Sequence, residues 1–163
     1  MRSLLSVLLL AAAVGLSGCA SSATRYREPK SADVAVLKAS FQRESTMVWE
    51  GIEVVAIDDK FVSVGMLSHP AKATFDVEPG AHEILVNMRF NRGYGTGPFE
   101  GKAVVPATFE SGVTYRLAGA VDGAEIQVWI ENKATREKIT DVVRAPYLKS
   151  APVVGVPIFI PKG

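Results

Sequence analysis

The chain has one cysteine in 163 residues, Cys19, and two histidines, His69 and His82. A single thiol excludes a disulfide within the chain. A metal site takes three or four convergent His, Cys or carboxylate ligands, and two histidines beside acids such as Asp58 and Asp59 supply too few. No metal and no cofactor are expected. There is no Gly-x-Ser-x-Gly nucleophile motif, and "GYGTGP" (93–98) lacks the Lys-Ser/Thr and the following helix of a phosphate loop. The acid–base inventory is therefore thin, and an enzyme is not expected. Charge of one sign is missing too. Of 18 Lys+Arg and 17 Asp+Glu, Arg2 is the one charge in residues 1–18, so the remainder carries 17 of each. That balance gives no electrostatic case for nucleic acid.

No apolar run is long enough to span a bilayer, which needs about 20 residues. The apolar stretch "LLSVLLLAAAVGL" (4–16) has thirteen, follows Arg2, and is apolar on every side, unlike an amphipathic core helix. It reads as the h-region of an export signal. Ser17 and Gly18 follow, small enough for a peptidase to reach the backbone.

Leu16-Ser17-Gly18-Cys19 resembles the lipobox of bacterial lipoprotein signals. The resemblance implies diacylation of the Cys19 sulfur, cleavage between Gly18 and Cys19, and acylation of the freed amine. A thiol suits that role as the strongest nucleophile among uncharged side chains. Each buried methylene contributes about 0.8 kcal/mol, so two or three chains hold a protein to a bilayer essentially for good. Ala20, where Gram-negative inner-membrane lipoproteins tend to carry Asp, implies a periplasm-facing outer-membrane location if the source is Gram-negative. Otherwise the cell membrane is implied.

The expected organisation is a signal peptide (1–18), a lipidated N-terminus and flexible tether (19–33), a β-sandwich domain (34–145) and a Pro-rich apolar tail (146–163). From Val34 onward hydrophobicity alternates. His82, Ile84, Val86, Met88 and Phe90 share one side of "HEILVNMRF"; Ile126, Val128 and Ile130 share one side of "AEIQVWIE"; Val113, Tyr115 and Leu117 lie opposite Thr114 and Arg116. Period two with one polar face is the antiparallel pattern. Turn residues recur in "IDDKF" (57–61), "EPGAH" (78–82), "ESGV" (110–113) and "VDGAE" (121–125). The fold class is all-β, a single antiparallel sandwich of Ig/transthyretin-like type. "TREKITDVV" (135–143) reads as an edge strand. The tail either packs along the sandwich or adds as a strand to a partner's sheet edge.

"FDVEPGAHEILV" (75–86) resembles the PEGA-type module, a small β-sandwich of bacterial envelope proteins, here with the order Glu78-Pro79-Gly80-Ala81. The resemblance spans about Ile52 to Glu131 and implies a non-catalytic spacer or binding unit.

Two residues are candidates for a binding surface. Trp129 falls on the polar side of its strand, where it stacks on a sugar or a partner protein unless a bulge shifts the parity or the tail covers it. Tyr94 stands in the glycine-rich loop, which carries recognition or is a plain connector. His82 is expected to end a strand and bond locally. The expected function is a non-enzymatic, lipid-anchored envelope component that binds a protein partner; the alternative is a carbohydrate or peptidoglycan-binding module.

Overall fold

A computed structural model describes residues 24–65 and 68–150; Gly18, Cys19 and most of the apolar tail lie outside them. The strands are β1 Ala35–Lys38, β2 Ser40–Arg43, β3 Val48–Ile57, β4 Lys60–Phe61, β5 Thr74–Val77, β6 Gly80–Arg92, β7 Phe99–Phe109, β8 Thr114–Asp122, β9 Glu125–Asn132, β10 Val143–Pro146 and β11 Leu148–Lys149. One 3-10 turn, Pro70–Lys72, is the only helical element among the described residues. The fold is an all-β sandwich. One sheet runs β11-β7-β6-β3-β2 with β4 beside β3, and the other β10-β9-β8-β1-β5.

Alternation places the core as the sequence implies. β6 buries Ile84, Val86, Met88 and Phe90, β7 buries Ala103, Val105, Ala107 and Phe109, and β9 buries Ile126, Val128 and Ile130. Leu37, Tyr115 and Leu117 join the β9 residues on the second sheet and meet those of β6 and β7. Each fully buried side chain of this size contributes about 1.5–3 kcal/mol.

The turns act in two ways. Asp58 and Asp59 have φ of 49° and 60°, both in the left-handed region that a two-residue hairpin turn requires, and β4 pairs back on β3 from Ile57↔Lys60. Asp122↔Glu125 closes the β8–β9 hairpin around Gly123, at φ 58°. The segments containing Pro79-Gly80 and Ser111-Gly112 instead carry the chain from one sheet to the other, since β5 and β8 lie in the second sheet and β6 and β7 in the first.

Within the sandwich one pair is parallel: β1 lies beside β8, with Val36↔Thr114 and Lys38↔Arg116 in register. No hairpin joins these distant strands, so no turn constrains their direction. The segment 135–143 is not an edge strand. After β9 the Asn132 Oδ1 accepts from the amides of Ala134 and Thr135, which turns the chain. A single bridge, Glu131↔Lys138, follows, and Thr140 Oγ1 accepts from Ile130 N where a neighbouring strand's carbonyl would. The edge strand is β10, which starts at Val143.

Both flanks of the domain are attached. In the segment read as tether, Tyr26 N donates to Phe61 O, its hydroxyl to Asp76 O at 2.7 Å, and Arg25 to Ser63. At the other end Tyr147, between β10 and β11, packs edge-on against Phe90 and Phe99 and donates to Gly123 O. The chain thereby crosses from β9's sheet to β7's.

Candidate functional site

Trp129 stands directly opposite Ala118 in an unbroken β8–β9 register, so no bulge moves it and it lies on the outer face of its sheet. There it is half-buried. Lys138 Nζ sits 4.2 Å from the ring centroid, a cation–π contact made by the turn that follows β9. One face of the indole is thereby occupied. Its Nε1 donates to Glu131 Oε2 at 3.4 Å.

Glu131 is the electrostatic centre of this face. It is 5 % exposed, and its Oε1 accepts from Arg116 Nε at 2.5 Å and lies 3.1 Å from Arg136 Nε. Burial works to raise the Glu131 pKa; hydrogen bonds from Arg116 and Trp129, with the charges of Arg116 and Arg136, outweigh it and hold the carboxyl below its ordinary range. The face therefore keeps a buried carboxylate under two guanidinium groups.

Tyr94 is 89 % exposed at the β6–β7 connection, where Thr96 Oγ1 bonds Gly93 O and Asn91 Oδ1. It belongs to the sheet that does not contain Trp129. The two aromatics singled out by sequence are on separate surfaces.

His82 ends up as expected, in local hydrogen bonds on β6. Nδ1 faces Asp58 Oδ2 at 2.7 Å and Nε2 faces Glu78 O at 2.8 Å. Asp58 Oδ1 also accepts from Glu83 N. Burial works to raise the Asp58 pKa, but the Glu83 amide and His82 bonds, with the charges of His82 and Lys60, hold it below the usual value. Both imidazole nitrogens face acceptors, so a ring with one N–H donates either to Asp58 or to Glu78 O. Asp58, His82 and Glu83 edge an open groove of about 520 Å³, lined also by Pro106, Thr108, Thr140 and Asp141.

One grouping was invisible to sequence reading. Phe41 of β2 lies 6.5 Å from Trp49 of β3, near-parallel, and 4.6 Å from His69; Lys72 caps its ring at 5.1 Å. With Arg43 and Thr46 these rings line a small cleft of about 240 Å³. β2 and β3 are paired, which brings the first two rings together, but His69 arrives from the 3-10 turn, and no spacing announces that.

No protein-family model, curated protein or solved structure matches this chain.

Proposed function

We propose that this chain is a non-enzymatic lipoprotein of the bacterial envelope, anchored through acylated Cys19 and presenting its β-sandwich to a protein partner. The observation that carries the reading is Leu16-Ser17-Gly18-Cys19 directly after thirteen uncharged apolar residues. A thiol with no partner in the chain, at the end of a segment too short to span, is accounted for by acylation. On the same resemblance Ala20 gives an outer-membrane location if the source is Gram-negative, and the cell membrane otherwise.

The test is mass spectrometry of the mature N-terminus with envelope fractionation. A diacylated or triacylated Cys19 at the first position is expected, with Cys19→Ser released from membranes by a salt wash. An unmodified Cys19, or a serine variant that still sediments, overturns the reading.

The glycan alternative finds its support in the Phe41–Trp49–His69 cleft, since stacked rings beside an arginine suit a sugar face and its polar groups. Retention on isolated sacculi, lost in Trp49→Ala and kept in Trp129→Ala, would favour it; absence of retention removes it.

A further inference from the structure

Cations scattered along a charge-balanced sequence converge on the outer face of the β1–β8–β9 sheet. Lys38 of β1 lies beside Arg116 of β8 in parallel register. The turn after β9 brings Lys133 and Arg136 over the same strands. These four, with Ser40, Phe41 and Gln42, line an open cleft of about 470 Å³ that has no carboxylate in its lining. Glu131 lies beneath and engages Arg116 and Arg136. Lys38 and Lys133 make no ion pair among the described residues. Glu137, in the same turn, and Asp76, on β5 beside β1, are the acids nearest in the chain and strand order, and neither lines the cleft.

Like charges side by side on neighbouring strands destabilise a sheet. Here the turn that adds two more is firmly built. Lys133 N donates to Thr114 O, Arg136 N to Asn132 O, and Asn132 N to Glu137 O. Arg136 itself is held at φ 66°, a conformation that residues other than glycine rarely adopt. The fold therefore preorganises mutually repelling cations around a space large enough for a tetrahedral anion, and an anion relieves the repulsion.

We propose that this cleft binds the phosphate group of an anionic ligand. Two sources carry that chemistry, a soluble phosphoester and the headgroup of an anionic phospholipid. If the chain is anchored, the second is a source close to the domain: Cys19 and Thr24 are five residues apart, at most about 18 Å of extended chain. Tyr26 also docks on Asp76 of β5, the strand that pairs with the one bearing Lys38.

The test uses the full chain carrying Cys19→Ser in every arm, so that acylation plays no part and the anchor reading stands or falls separately. Glycerol 3-phosphate is titrated by calorimetry. Flotation is measured with phosphatidylcholine vesicles with and without phosphatidylglycerol. Lys38→Gln with Lys133→Gln, which breaks no ion pair, is expected to weaken binding by about fivefold for each charge removed, while relief of the repulsion raises the thermal midpoint slightly. Arg136→Gln is a second probe. Lys60→Gln with Lys102→Gln, on the other sheet, removes the same charge and is expected to leave binding intact. Salt-sensitive binding of the phosphoester, lost in the cleft variant alone, assigns a soluble ligand. Preference for anionic vesicles alone, lost in the same way, assigns the headgroup. Binding to neither probe, or equal weakening by the control pair, overturns the proposal.

Discussion

Arg116 on β8 and Glu131 on β9 stand directly opposite each other and share a 2.5 Å charge-assisted hydrogen bond, with Glu131 almost wholly out of water. Removing one member of such a pair leaves the other charge uncompensated, at a cost of about 3–5 kcal/mol when both are buried. Arg116 keeps some solvent contact, so Glu131→Ala is expected to cost about 2–3 kcal/mol. Thermal unfolding should show a drop of about 8–11 °C. Glu131→Gln, which keeps the shape and one acceptor, should lose less. Equal midpoints for Glu131→Ala and the parent would remove this pair from the account of stability.

Acid weakens the fold through Asp58 and Glu131, both held below their ordinary carboxylate values. A group whose folded pKa is depressed contributes stability that is complete above its unfolded pKa and lost as pH falls through the folded one. The thermal midpoint is therefore expected to be level from neutrality down to about pH 5 and to fall below about pH 4. Asp58→Asn and Glu131→Gln should each flatten that acid limb. A limb of unchanged slope in the double variant would assign acid sensitivity elsewhere.

Alkali acts at the other flank. The Tyr26 hydroxyl is pushed up to about 12, first by burial and then by Glu28, Glu78, Asp58 and Asp76. The unfolded state then loses this proton first, so the contribution is present below about pH 10 and disappears as pH rises towards 12. Amide protection at residues 24–26, taken relative to the intrinsic exchange rate at each pH, is expected to fall across that window. Tyr26→Phe, lacking the bond to Asp76 O, should show the lower protection already at neutral pH.

The two sheets approach closely at Gly119. A Cβ there would lie 2.7 Å from Gln127 O, 2.8 Å from Ile52 Cδ1 and 3.3 Å from Met88 Sδ. Overfilling a packed core costs about 1–3 kcal/mol, so Gly119→Ala should fall in that range and Gly119→Val beyond it. Denaturant midpoints check this. A neutral Gly119→Ala would mean that the sheets separate there without strain.

The sequence by itself determined the class of fold and which side of its long strands faces the core. Period two is a local consequence of backbone geometry, so Ile84, Val86, Met88 and Phe90 could be assigned inward without knowing what faces them. The Asp58-Asp59 turn was equally legible, because its left-handed backbone is a local demand on residue type. Tertiary structure decided what depends on strands far apart in the chain. It set β1 parallel to β8, drew Lys138 over Trp129, and gathered Lys38, Arg116, Lys133 and Arg136 around one cleft. Net charge is a sum over the chain and carries no position. Only the register of the sheets turns an evenly balanced sum into a surface with a sign.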